Sequence, residues 1–331
     1  MTAPAENRTR CLAGIVIYRP RFEALRRLVA SLADDVSTVA IYANSPISGE
    51  QQQALEAAAG GAELMVLRPG LNRGLGAAYN AFRHLAGAHD SEFLLLLDQD
   101  STPEPGMVAA LIATHRRLCT CGENPAVVGP QPIAPEGGKM RLAAAARQAE
   151  GEPLRTSFVI SSGSLIRLSA LAAIGDFRSD YFIDAIDIEW CLRAGAAGYS
   201  IWVDRAVPMQ HRLGRGIIRL PLGLLLTDQP PQRLYTYVRN QLAMLRLRHV
   251  PTRYKLKFLV SLPVRLAVHL AHHRFSADCM AALVNGLRDG ALGRMGPPDR
   301  ALIRFWRSGW RGHATAPRII RDAAAAPQQL S

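Results

Sequence analysis

Lysine is almost absent from this 331-residue chain, with only Lys139, Lys255 and Lys257 among its 39 basic residues. Codon composition is the simplest cause, and forked recognition of phosphate by arginine is the second. Cysteine is equally sparse and shows no pattern. Cys119 and Cys121 lie too close for a zinc knuckle, no His pair follows at finger spacing, and Cys11, Cys191 and Cys279 are scattered. That set excludes a zinc finger or a disulfide framework and points to reduced thiols. Long apolar runs are missing too. No stretch reaches the ~18 residues a membrane-spanning helix needs. The best candidates, Ile217–Leu226 and Phe258–Leu270, are short or broken by Arg219, Pro221, Pro263 and Arg265. The opening MTAPAENRTR has no apolar segment, so a signal peptide is not expected and the chain reads as cytoplasmic.

Hydrophobic residues make up 49% and charged residues 20%, the balance of a globular chain. The net charge of +12 is uneven. From Arg205 onward 21 Lys and Arg face five acids, while the part before it carries 18 against 22. We therefore divide the sequence into a near-neutral catalytic domain over 1–214 and a basic, helical region over 215–331.

Cys11–Tyr18 is a continuous apolar, β-branched run ended by Pro20, which suits a buried parallel strand. A helical spacing of apolar residues follows over Phe22–Leu32. Strands are then predicted at Thr38–Ala43, Glu63–Leu67 and Glu92–Leu97, with helices at Gln51–Ala59 and Gly76–Ala86 between them. This alternation implies a doubly wound α/β sheet, with ligand loops converging beyond the carboxyl ends of the strands. Further on, the reading is a short strand at Val127–Val128, a variable Ala-rich segment at Leu142–Ala149, and a strand over Phe158–Ile166. A helix at Ser169–Ile174, an acidic helix within Tyr181–Gly195 and a strand at Tyr199–Val203 complete it. Beyond Gly216 the chain reads as helical.

Three features bear chemistry. Asp98-Gln99-Asp100 ends the strand Phe93–Leu97, and two carboxylates on such a turn can share a Mg²⁺ or Mn²⁺ ion with the diphosphate and ribose of a nucleotide. A solvated turn is the plainer alternative. In FIDAIDIEWCLRAGAAGY, Asp187 near a helix start can take a proton from an attacking hydroxyl, although an acid there also complements the helix dipole. Glu189 and Arg193 have the i, i+4 spacing of ordinary helix support. The loop Asn72-Arg73-Gly74-Leu75-Gly76 lets backbone N–H groups approach phosphate at a helix start, but it is not a dinucleotide fingerprint.

Together GIVIYRP, LNRGLGAAYN, FLLLLDQDS, SSGSLIR, FIDAIDIEWCLRAGAAGY, HRLG and RLYTYVRN, in this order over Gly14–Asn240, resemble the family-2 glycosyltransferases of the GT-A fold. The likeness is greatest to their rhamnosyltransferase branch. The resemblance implies Asp98 and Asp100 as the metal- and nucleotide-binding pair, His211 as a further metal ligand, and Asp187 as catalytic base. It implies nucleotide contacts from Tyr18, Arg19, Asn44, Asn72 and Gly74, and places Trp190, Arg239 and Asn240 on the acceptor side. The implied activity is inverting transfer, with rhamnose from dTDP-rhamnose, or a sugar from a UDP donor, passing to a glycan or lipid-linked acceptor. Such products include cell-surface polysaccharides such as O-antigen. One departure is Ala43, which stands where relatives carry the Asp that reads the nucleobase.

The basic region mixes Lys255, Lys257 and Arg265 with Phe258, Leu259, Val260, Leu262 and Leu266, and Ile217–Leu226 adds an apolar stretch expected to be exposed. Such mixtures favour peripheral contact with anionic lipid. Nucleic acid is not an expected partner, since the region has no aromatic platform, zinc site or reader helix. A nucleotidyltransferase is disfavoured because Val16–Pro20 offers only Arg19 where such enzymes place several basic residues.

Overall fold

A computed structural model describes residues 10–133, 151–210, 216–219, 225–299 and 302–303. The described residues up to Pro297 form one compact unit. The chain runs β1 (Cys11–Ile17), α1 (Phe22–Leu32), β2 (Thr38–Ala43), α2 (Gly49–Ala59), β3 (Glu63–Leu67), α3 (Gly74–Ala88), β4 (Phe93–Asp98), α4 (Met107–Thr120) and β5 (Pro125–Ile133). It continues with β6 (Leu154–Thr156), β7 (Ser164–Arg167), α5 (Leu168–Ile174), α6 (Ile186–Ala196) and β8 (Ser200–Gln210). The last part holds β9 (Gly216–Arg219), β10 (Leu225–Asp228), α7 (Pro231–Met244), α8 (Thr252–His272) and α9 (Ala277–Leu292).

Eight strands form one mixed sheet in the order β3-β2-β1-β4-β7-β5-β8-β6. The first four are parallel, and β7 runs antiparallel to both β4 and β5. Because both faces of β1 and β4 are covered, these strands are continuously apolar rather than alternating, up to Asp98 at the end of β4. Ile15, Ile17, Leu95 and Leu97 pack toward α1, α2 and α4, while Leu12, Val16, Leu94 and Leu96 pack toward α3 and α6. From β1 the chain adds β2 and β3 on one side and then crosses back from β3 to place β4 on the other, so a crevice opens at the carboxyl ends of β1 and β4. Asp98 lies opposite Val16 at that rim.

Three readings need correction. Phe158–Ile166 is not one strand: only Ser164–Arg167 pairs with β4, and the segment before it turns at Gly163, with φ +84°. A left-handed residue cannot continue a ladder. The region beyond Gly216 is not purely helical, because β9 and β10 form an antiparallel pair. Ile218, within the stretch expected to be exposed, is buried. Leu142–Ala149 lies outside the described residues.

The helices α7, α8 and α9 share a core of Leu234, Val238, Phe258, Leu262, Cys279 and Leu283. Gly286 and Gly290 allow α9 to approach α7 so closely that a Cβ at either would stand 2.9 Å from a backbone carbonyl oxygen, Tyr235 or Arg239.

Candidate active site

The two acidic segments meet across a serine turn. The Asp98 N–H donates to Ser101 Oγ at 3.0 Å, and Ser101 Oγ lies 2.6 Å from Ser162 Oγ. In the same turn, the Ser161 N–H donates to Asp187 Oδ2 at 3.1 Å and the Gly163 N–H to the Leu96 carbonyl at 2.8 Å. Three successive residues of one turn therefore hold the end of β4 and the start of α6 together. Sequence separation along the chain is large, but the sheet order makes it short in space.

The electrostatics agree with that closeness. Burial and the like charge of Asp100 push the Asp98 carboxyl up to about 6. Asp187 is also raised, first by burial and further by Asp98, against the pull of the Ile188 and Ser161 N–H groups. Among the described residues no hydrogen bond or ion pair reaches the carboxylates of Asp98 or Asp100. Two oxygen donors that repel each other, with no cation hydrogen-bonded to them and only the charge of Arg233 acting on Asp98 from a distance, suit a hard divalent ion such as Mg²⁺ or Mn²⁺.

No protein-family model matches the sequence. A curated relative, dTDP-rhamnosyl transferase RfbF of Shigella flexneri, is 24% identical over 294 residues, spanning 86% of this chain and 96% of that protein. Among solved structures, S. aureus TarS 1-349 in complex with UDP-GlcNAc superposes with a TM-score of 0.58 at 14% identity, over 90% of this chain and 87% of that one. GalNAc-T7 with UDP, GalNAc and Mn²⁺ gives 0.53 at 14% identity, and the match covers 76% of this chain but only about half, 54%, of that one. The mannosyltransferase PcManGT of Pyrobaculum calidifontis, in complex with GDP-Man and Mn²⁺, gives 0.51 at 13% identity, over 94% and 82%. The chain has the GT-A glycosyltransferase fold.

Within this GT-A frame the remaining residues take distinct places. Tyr18 is exposed at the rim, and its N–H donates to Gln99 Oε1 at 2.8 Å. Arg19 adopts φ +50°, its N–H donates to Ser45 Oγ at 2.7 Å, and its guanidinium lies over the Tyr18 ring. A left-handed arginine costs energy that the surrounding contacts must offset, and such strain concentrates at functional rims. Asn44 is buried and ties down the neighbouring loop, accepting from the Arg73 N–H at 2.9 Å and donating to the Gly74 carbonyl at 3.3 Å. Asn72 Oδ1 accepts from the Gly74 N–H at 2.9 Å. Gly74 sits at φ +83°, and a Cβ there would come within 2.3 Å of the Phe182 carbonyl oxygen, which also accepts from the Leu75 N–H. The glycine loop is thus docked against the segment that leads into α6.

That segment is strained as well. Phe182, Asp184 and Ala185 all have positive φ. Asp184 anchors it: Oδ1 accepts from Arg233 Nε at 2.8 Å and Nη2 at 2.5 Å, and Oδ2 from Thr236 Oγ1 at 2.5 Å. The Arg233 charge also acts on Asp98 and Asp187. Glu189 is buried and accepts from Arg193 Nε and Nη2, each at 3.0 Å, with His249 Nε2 2.9 Å away.

The three residues assigned to the acceptor side have buried side chains. Trp190 is 1% exposed, stacks near Phe177 and donates to the Gly175 carbonyl at 3.0 Å. Arg239 Nη2 donates to the Tyr181 carbonyl, and Asn240 Nδ2 to the carbonyls of Tyr181, Ile183 and Asp184 at 2.7–3.0 Å. Asn240 thus holds the backbone of the strained segment and Arg239 that of Tyr181 just before it, whereas Trp190 reaches Gly175. His211 lies outside the described residues; its neighbour Gln210 forms a bridge with Thr102, two residues past Asp100.

Sequence reasoning missed Ser101 and Ser162, which join the acidic segments, and the ion pair of Asp184 with Arg233. The run SSGSLIR contributes to the family resemblance, but its segment reads as a strand, so neither the turn nor its partners is expected from it. A cleft of about 980 Å³ has walls that include Ile160, Ile188, Tyr237, Gln241, Tyr254 and Arg265, while Asp98, Asp100 and Asp187 are not among its lining residues. Ile160 and Ile188 are the immediate neighbours of Ser161 and Asp187.

Proposed function

We propose that this chain is an inverting glycosyltransferase that moves a sugar, L-rhamnose from dTDP-rhamnose, onto a glycan or lipid-linked acceptor in cell-surface polysaccharide synthesis. The observation that carries the reading is the convergence of Asp98 and Asp187 across Ser161 and Ser162 at the switch point of a GT-A sheet. The rhamnose assignment is supported by the 24% likeness to the Shigella enzyme along nearly all of both chains.

Asp98 and Asp100, with His211, would hold a Mg²⁺ or Mn²⁺ ion, which when bound would supply positive charge to the leaving diphosphate. Tyr18, Arg19, Asn72 and Gly74 form the nucleotide wall. Asp187 accepts the acceptor hydroxyl's proton as that oxygen attacks the anomeric carbon, and the nucleoside diphosphate leaves from the opposite face. Burial makes this carboxylate a better base near neutral pH than a solvated aspartate. The cleft between the 1–214 and 215–331 portions, lined by Ile160 and Ile188, which adjoin Ser161 and Asp187 in the chain, receives the acceptor. Arg239 and Asn240 act as positioning residues by fixing the backbone before α6.

The donor test is release of nucleoside diphosphate by purified protein from dTDP-rhamnose and from a panel of UDP-sugars. Turnover of dTDP-rhamnose supports the assignment, while turnover of UDP-sugars alone supports the second reading; Ala43, which stands where relatives carry the base-reading Asp, favours neither base. Released pyrophosphate instead would mark a nucleotidyltransferase.

No helix among the described residues is long and apolar enough to cross a membrane. Peripheral contact at the cytoplasmic face is supported by α8, where Leu256, Leu259, Val260 and Val264 form one exposed stripe, Val260 at 69%, beside Lys257. Deleting α8 would remove part of the core shared with α7, so substitution is the cleaner test. Changing Leu259, Val260 and Val264 to Glu should abolish co-sedimentation with anionic vesicles while unfolding is unaltered; undiminished sedimentation would reject the contact.

A further inference from the structure

We propose a second metal site, built for a transition ion such as Zn²⁺, formed by Asp228 at the end of β10 with His269 and His273 of the α8 terminus. Each residue offers one ligand atom, and these atoms lie within 4.8 Å of one another. The two histidines are four residues apart and so lie on one face of the helix, the spacing that lets two imidazoles share an ion. Asp228 Oδ1 stands 3.2 Å from His273 Nε2, and His272 Nε2 is 3.8 Å from the other carboxylate oxygen.

The observation that points to a ligand is His269. Its side chain is 4% exposed, and its Nδ1 is buried without a hydrogen-bond partner. An unsatisfied buried nitrogen costs about 1–3 kcal/mol, and a coordinate bond removes that cost. Desolvation together with the nearby His273 keeps this imidazole neutral, the form that ligates. Zn–N and Zn–O bonds of about 2.0–2.1 Å need ligand atoms roughly 3.3 Å apart in tetrahedral geometry, so on binding the atoms would draw together by at most about 1.5 Å. Gln229, whose Oε1 is also buried without a hydrogen-bond partner, adjoins Asp228.

Donor chemistry separates this site from the catalytic rim. Two imidazoles and one carboxylate rank Zn²⁺ far above Mg²⁺, whereas Asp98 and Asp100 offer oxygen alone. An ion here would clamp the β9–β10 hairpin to α8. Gln229 and His269 also line the cleft that contains Ile160 and Ile188, so the clamp would fix one wall of that cleft. The inference is independent of the sugar-transfer reading, because it invokes none of the residues of the rim.

The test uses metal-stripped full-length protein carrying Asp98→Ala and Asp100→Ala, which disables the rim site. Titrated with Zn²⁺ and dialysed, it should retain one equivalent per chain and melt at a higher temperature. Adding His269→Ala or His273→Ala should cut the affinity at least tenfold. Failure to retain zinc, or equal retention after the histidine changes, overturns the site. Should those variants not fold, Co²⁺ added to the parent protein decides. Intense visible absorption of a tetrahedral nitrogen-ligated ion supports the site, and the weak spectrum of octahedral Co²⁺ rejects it.

Discussion

The two acidic segments of the crevice are close in space and opposite in how their charges are treated. Between Asp184 and Glu189, two of three carboxylates are neutralised: Asp184 by Arg233 and Thr236, Glu189 by Arg193 with His249 alongside. At the Asp98–Asp100 turn neither carboxylate has a cationic hydrogen-bond partner among the described residues, and Asp98 is raised to about 6. Asp187 stands between these cases, held only by N–H donors. A paired acid stabilises its surroundings and is unavailable for chemistry, whereas an acid kept at a cost in stability is available for a ligand or a proton. This contrast, more than the number of acids, separates scaffold from catalyst.

Exchange of single carboxylates should break the comparison most visibly. Asp187→Asn should lower turnover by about 10²–10⁴-fold, the scale of general-base catalysis, with nucleotide affinity and unfolding midpoint kept. Retained turnover in a nucleotide-release assay would remove Asp187 from the mechanism. Glu189→Gln should do the reverse in stability, costing about 3 kcal/mol because the Arg193 guanidinium loses its buried partner. Denaturant titration reads this directly, and an unchanged midpoint would contradict the structural role given to Glu189.

Much of the contrast was visible in the sequence for the strand half and little of it for the helical half. β1, β2 and β4 announced themselves as uninterrupted apolar runs because both their faces are buried, and a run ending in Asp98 placed that residue at a strand mouth. Glu189 and Arg193 were legible as an i, i+4 pair. The partners of Asp184 were not, since Arg233 and Thr236 lie about 50 residues away and no local periodicity encodes that pairing. For the same reason Trp190, Arg239 and Asn240 could be placed near the site but not turned inward. The β9–β10 pair escaped notice because four-residue strands are too short to establish a period.

A smaller effect tests the unpaired side of the comparison. Burial and Asp100 favour a protonated Asp98 in the folded chain, which therefore binds a proton that the unfolded chain has already released above about pH 4. In chelator-treated protein the stability from this group is complete below about pH 4 and is lost as pH rises through about 6, a change on the order of 2–3 kcal/mol. Urea midpoints at several pH values should show the decline, and Asp98→Asn should flatten it apart from the share owed to Asp187. An identical slope in the variant would mean that Asp98 is solvated and ordinary.

The smallest effect concerns Asn44, where the expected nucleotide contact and the observed loop pin predict different things. Its carboxamide joins the Arg73 N–H and the Gly74 carbonyl, so Asn44→Ala strips partners from two backbone groups beside the crevice. The cost should be about 1–2 kcal/mol, a shift of a few degrees in melting temperature without nucleotide. A residue that served only the ligand would leave the ligand-free melt untouched and weaken donor binding alone. Because Gly74 in turn abuts Phe182, the pin bears on the strained segment before Asp187, and loosening it should lower turnover together with stability. A fall in donor affinity at constant melting temperature would restore Asn44 to the nucleotide wall and remove it from the scaffold.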